Sequence, residues 1–323
     1  MSRRLLPGLL LLAAIAVVAR LVAGAVPALN DLVLAIAIGA LLGNAVSLPA
    51  SVEPGLAKSG LFLETGIVLL GASLSLGAVA AAGPRVALLV VGTVAFGLLA
   101  VTLAARAVGI PDPVAALLAA GASVCGVSAV VAAAGVLDVE ESDIAYAAAT
   151  VLLFDAVTLV TFPLIGELLA LPARQFGVWA GLTMFSTGPV TAAGFAYAPG
   201  AGEWATLTKL VRNTLIGGVA VAYSVAYARG GPRLGQLWTE FPKFLLGFLL
   251  VATVANSGLL SPASLDRIGT ATDWQFLLAF AGLGFDIRLD RMRETGIAPI
   301  GVVFGYLVVV GTLTLLAVRA LGL

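Results

Sequence analysis

The chain has 323 residues, of which 61% are hydrophobic and 11% charged, and its 17 basic residues balance 17 acidic ones. A soluble domain carries about a quarter charged residues, so the composition excludes an ordinary soluble enzyme, and zero net charge gives no footing for a nucleic-acid partner. Histidine is absent and Cys125 stands alone, which excludes Ser–His nucleophile pairs, histidine metal sites and an internal disulfide.

Membrane-length apolar stretches recur along the whole sequence, at about 5–26, 29–47, 61–82, 86–107, 113–136, 144–168, 176–198, 204–227, 241–259, 272–287 and 296–318. Most approach the ~20 residues that a spanning helix needs. No loop is long enough for a soluble domain. The expected fold is therefore all-α and polytopic: one transmembrane domain over 1–323 with about 11 helices. Ser2-Arg3-Arg4 ahead of the first stretch imitates a signal peptide, but the apolar run is too long for one, so it reads as a retained first helix.

With a cytoplasmic N-terminus, odd-numbered segments run outward. The inner loops then hold Arg3, Arg4, Lys58, Arg106, Arg174, Arg229, Arg233, Lys243, Arg288, Arg291 and Arg293. The outer loops hold only Arg85, Arg267 and Arg319, and Arg20, Lys209 and Arg212 fall inside segments. This is the positive-inside bias. It predicts a plasma-membrane protein with its N-terminus inside and its C-terminus outside. The acidic loop with Asp138, Glu140, Glu141 and Asp143 is then external.

Segments 3–4 (about 61–107) resemble segments 10–11 (about 272–318). Gly71-Ala72-Ser73-Leu74-Ser75-Leu76 parallels Gly282-Leu283-Gly284-Phe285-Asp286-Ile287, with Gly83 against Gly296 and Gly92 against Gly305. The two stretches run in opposite directions, as in an inverted-topology repeat; chance likeness between Gly/Ala/Leu-rich helices is the other reading. Segment 10 is the shortest and reads as re-entrant or broken, with an interfacial helix over 262–271 leading into it.

Segment 5 carries Ser123, Cys125, Gly126 and Ser128 at mid-span. Such a stretch can unwind and offer backbone N–H groups to a ligand, or it can be a small-residue packing face. Asp155, in the middle of segment 6, is the candidate coupling acid, because intramembrane acids are costly and tend to be functional. Glu64 and Glu167 lie near segment ends and are expected to snorkel. Segment 7 carries Ser186, Thr187 and Gly188-Pro189, a predicted helix break. It runs the same way as segment 5 and so offers segment 5 no inverted partner. Lys209 and Arg212 share one face of segment 8; they pair with Asp155 or meet an anionic solute.

Several of these stretches resemble the UPF0324 (YeiH) family, described as sulfate exporters. Val124-Cys125-Gly126-Val127-Ser128-Ala129 is similar to its ICGAAA-type motif. Ala147 to Phe154 is similar to its AxAT-LF-G stretch, with Asp155 where Gly is usual. Gly181 to Gly194 aligns with its G-x-x-x-H-E-V-A-Q-V-V-A-A-G signature, and Lys209, Arg212 and Leu215 with its K-x-x-R-x-x-L stretch. The family's His, Glu and Gln are replaced here by Phe185, Ser186 and Pro189. The resemblance implies kinship with bile-acid symporters and cation/proton antiporters, which share inverted repeats and broken helices.

The expected function is secondary transport of a small anion, such as sulfate or a sulfonate, coupled to H⁺ or Na⁺. The site would comprise Ser123, Cys125, Gly126, Ser128, Ser186, Thr187, Gly188, Lys209 and Arg212, with Asp155 as coupling acid and no metal or cofactor. The alternatives are an intramembrane aspartyl protease using Asp155 and Asp286, and a channel-like or inactive relative. Direction of transport and homo-oligomerisation stay open.

Overall fold

The computed structural model describes residues 2–26, 29–73, 76–227, 241–288 and 297–323. Leu74, Ser75 and Gly296 of the expected repeat, the linker arginines Arg229 and Arg233, and Arg291 and Arg293 lie outside the described residues. The described helices are α1 (Ser2–Ala25), α2 (Asp31–Ala45), α3 (Glu53–Leu56), α4 (Ser59–Leu70), α5 (Leu76–Ala107), α6 (Asp112–Ser123), α7 (Val127–Ala134), α8 (Glu141–Leu168), α9 (Ala173–Thr183), α10 (Thr187–Tyr197), α11 (Pro199–Asn213), α12 (Ile216–Tyr227), α13 (Phe244–Asn256), α14 (Pro262–Asp286) and α15 (Ile297–Ala320). Among the described residues, five helical stretches are long and apolar enough to cross a membrane: 5–25, 53–73, 82–107, 141–168 and 297–320. The chain is a multi-pass membrane protein; its other expected segments are shorter helices or pairs of them, except segment 10, which belongs to the 25-residue α14.

The chain divides into two compact units, one of residues 1–81 and 243–289, the other of 82–242 and 290–323. In the first unit, α14 packs on α2 through glycines on both helices. A Cβ added at Gly284 would fall 2.7 Å from Ala40 N and 2.8 Å from Gly39 Cα, so only hydrogen fits there. Leu12, Ile15, Ala35, Leu277 and Ala281 fill the space behind this contact.

The expected short segment 10 is different in the structure. Residues 262–286 form one continuous helix of 25 residues, started by Ser261, whose hydroxyl accepts from Ser264 N at 3.2 Å. Its polar N-terminal half interrupts the hydropathy but not the backbone ladder. Arg20 reaches Asp31 at 3.7 Å and lies over the Trp274 ring at 5.3 Å, and Glu64 and Glu167 are exposed.

The second unit holds both predicted breaks, and both turn the chain back. A Cβ at Gly121 would lie 2.7 Å from Val130 Cγ2. In a straight helix, residues nine apart are about 13 Å apart along the axis. So α6 and α7 form a helical hairpin with its tip at 124–126. The second break is established through α11. Gly177 meets Ala205 and Gly181 meets Thr208, so α9 runs parallel to α11. Gly194 meets Gly202, Thr206 bonds Thr191 (3.1 Å) and Asn213 bonds Thr187 (2.9 Å), so α10 runs antiparallel to it. α9 and α10 are thus a second hairpin, with its tip at 184–186. Segments 5 and 7 are not straight spans. The fold-back also removes the objection that segment 7 runs the same way as segment 5.

Candidate functional site

The two hairpin tips meet. Gly126 has φ +73°, ψ −138°, and a Cβ there would fall 2.9 Å from Ser186 Cβ and collide with its hydroxyl oxygen. Glycine serves here twice: it adopts a backbone conformation that L side chains rarely reach, and it lets the second tip touch the first.

A helix that stops leaves four carbonyls without partners and the negative end of its dipole. Here two helices, α6 and α9, stop side by side in the interior, and α11 supplies the cations that answer them. Arg212 Nε donates to Ser123 O (2.6 Å), Nη2 to Ala122 O (2.7 Å), and Nη1 to Met184 O (2.8 Å) and Leu182 O (2.9 Å). Lys209 Nζ donates to Val124 O (2.8 Å), Met184 O (3.3 Å) and Phe185 O. An ammonium, with three N–H donors, can serve all three carbonyls. Both side chains are fully buried. One turn of α11 therefore stitches both tips together.

The opposite polarity is handled by α8. Asp155, 2% exposed, accepts from Ser186 N at 3.0 Å, so a carboxylate sits at the N-terminus of α10. Its Oδ2 has no hydrogen bond of standard geometry. Neither cation forms an ion pair with it, so the expected pairing within the helix bundle is replaced by carbonyl capping.

The structure thus brings together the tip residues and the three charges. Ser123 ends α6, Cys125 and Gly126 form the first tip, and Ser128 is the second residue of α7. Ser186 precedes α10, and Thr187 and Gly188 are its first two residues. Ser123, Cys125, Gly126 and Gly188 are buried, Val127, Ser186 and Thr187 half-buried, and Ser128 exposed. The expectation that Lys209 or Arg212 offers itself directly to a solute does not match its surroundings, because their donors face carbonyls. The break also precedes Gly188-Pro189: Pro189 occupies the first turn of α10, where a missing N–H costs little.

Two participants escaped the sequence reading. Asn213 Nδ2 donates to Thr187 Oγ1 (2.9 Å); lying one turn after Lys209, it shares that residue's face, which was the available signal. Tyr306 on α15 and Ser123 place their hydroxyls against Gly97, both buried and without a standard hydrogen bond. Tyr306 also lines an apolar groove of about 470 Å³ between α5 and α15.

The chain matches the family described as Conserved hypothetical protein 698 over residues 7–303. It is 36% identical to a UPF0324 membrane protein of Nitratidesulfovibrio vulgaris, over 93% of this chain and 88% of the relative. The chain belongs to the UPF0324 family. Another member, UPF0324 membrane protein TauZ of Paracoccus denitrificans, is 31% identical over 80% of this chain and 79% of its own; one from Agrobacterium fabrum is 34% identical over 90% and 86%. No solved structure matches. Within this UPF0324 chain, Phe185 and Ser186, which the motif resemblance sets against a His and a Glu, lie at the second tip. The Phe185 ring packs edge-on to Phe154 (6.3 Å) and stacks with Tyr306 (6.4 Å). The protease alternative gains nothing from these relatives, and Asp155 and Asp286 fall in different units.

Proposed function

We propose that the chain is a secondary transporter of a small anion, such as sulfate or a sulfonate, bound where the two hairpin tips meet. Charge balance carries this reading. Among the described residues, the buried charged side chains are Asp155, Lys209 and Arg212. Each hairpin contributes one helix C-terminus and one helix N-terminus to the centre, so the dipole ends cancel in pairs. Two cations against one carboxylate leave one excess positive charge, which is costly in a medium of low dielectric unless an anion offsets it.

The donors for such an anion are the free N–H groups in the first turns of α7 and α10, together with the hydroxyls of Ser128, Ser186, Thr187 and Ser123. Cys125, Gly126 and Gly188 keep the tips thin. Lys209 and Arg212 act by holding the tips and setting the field, not by touching the solute. Asp155 is the coupling acid, with Oδ2 left to take H⁺ or Na⁺. Breaks of this kind support the kinship with bile-acid symporters and cation/proton antiporters that the sequence implies. The positive-inside bias supports a plasma-membrane location with the N-terminus inside.

The test is uptake of labelled sulfate and methanesulfonate into proteoliposomes under imposed H⁺ and Na⁺ gradients. Saturable, gradient-dependent uptake is expected. Absence of saturable flux for either anion, or single-channel currents, contradicts the reading.

A further inference from the structure

The hairpin geometry has a consequence for membrane sidedness that hydropathy reverses. In the second unit, α5 (26 residues from Ala82), α8 (28 residues) and α15 (24 residues) each exceed the length of a span, so their ends mark two faces. On one face lie the end of α5 and the base of the first hairpin, joined by Arg106 and Asp112 (2.7 Å). The start of α15 is there too, since Val108 and Ile297 line the same groove. Tyr223, near the end of α12, bonds Ala116 O, near the same base, at 3.1 Å.

On the other face, Arg85 at the start of α5 reaches Leu321 O (3.4 Å), and Arg319 Nη2 donates to Leu169 O (3.2 Å). The second of these contacts decides the matter. If 113–136 and 176–198 both crossed, Leu169 and Arg319 would lie on opposite sides of a hydrocarbon layer about 30 Å thick. They are in hydrogen-bond contact.

We infer that 112–134 and 173–197 are re-entrant hairpins that enter from opposite faces, so that one site is walled from each side by its own hairpin. Non-helical backbone at this depth is tolerated because it is buried in protein, and here each tip is capped by α11. The acidic loop at 138–143 then shares a face with residues 107–111, and Arg174 moves to the face of Arg319. Two crossings are lost, so the odd count and the termini keep their sides. The positive-residue tally becomes ten inside and four outside, still a positive-inside bias. The inference is independent of what the protein carries.

The lone cysteine makes the test direct. In a Cys125→Ser background, single cysteines are placed at Val108, Ser142, Ala170 and Leu321. They are labelled with a membrane-impermeant maleimide in sealed right-side-out and inverted vesicles, with labelling in detergent as the measure of full reactivity; Asp138→Cys reads the same loop as Ser142→Cys. The expected result is that Val108→Cys and Ser142→Cys label from one side, and Ala170→Cys and Leu321→Cys from the other. Opposite labelling within either pair overturns the inference, and it does so whether or not any solute is transported.

Discussion

Gly126 and Ser186 touch at the centre of the second unit, backbone against side chain, where two helical hairpins end. A methyl group at Gly126 would meet Ser186 and would also impose a side chain on φ +73°, ψ −138°. Gly126→Ala should cost about 2–4 kcal/mol, from strain of about 1–3 kcal/mol plus the collision. Gly135→Ala, with φ −63° and its nearest neighbour at 3.5 Å, should change little. Adding Ser186→Gly should recover the steric part alone. Thermal unfolding in detergent checks all three; equal melting temperatures for Gly126→Ala and Gly135→Ala would refute the tip contact.

Arg212 bonds carbonyls of both hairpins through three nitrogens, a geometry that an ammonium cannot reproduce. Arg212→Lys should therefore destabilise the protein by about 3–5 kcal/mol, the range for breaking a buried charged network. Buried Cys125, at the first tip, should then react with maleimide much faster. Slow labelling in Arg212→Lys, equal to wild type, would show that the tip does not depend on the guanidinium.

Arg106 and Asp112 make a 2.7 Å ion pair, but their side chains are 46% and 56% exposed. Arg106→Ala should cost no more than about 1 kcal/mol. The contrast with Arg212, measured by the same unfolding assay, separates surface pairing from tip capping.

Asp155→Asn keeps an oxygen for Ser186 N–H and should still fold and insert, but with a second uncompensated positive charge it should melt lower than wild type without sulfate and lose gradient-driven uptake. Asp155→Leu should lose the helix cap as well, about 1 kcal/mol. Undiminished coupled uptake in Asp155→Asn would remove Asp155 from coupling.

The sequence made some of this legible and hid the rest for identifiable reasons. The helical membrane class follows from composition. Gly126 and the Ser186-to-Pro189 stretch announced breaks because glycine and proline interrupt a helix. What the chain does after a break leaves no mark in hydropathy: α6 and α7 together have about the length of one span, so a hairpin and a crossing look alike. Lys209 and Arg212 were read as ligands because a sequence displays side chains and hides backbone carbonyls, which are their actual partners. Residues 262–271 looked interfacial because polar side chains interrupt the apolar run, although nothing there interrupts the helix.

The central claim is that the joined tips hold one uncompensated positive charge and therefore bind an anion. Ser128 is exposed in the first turn of α7, where an acid also favours the helix. Ser128→Asp should supply the missing negative charge from within. The decisive measurement is the melting temperature of purified wild type and Ser128→Asp with and without sulfate, since a ligand stabilises the state it binds. The account predicts a sulfate-dependent rise in wild type, and a variant that melts at least as high without sulfate and gains nothing from it. A wild type indifferent to sulfate and methanesulfonate, or a variant that responds as wild type does, would contradict it.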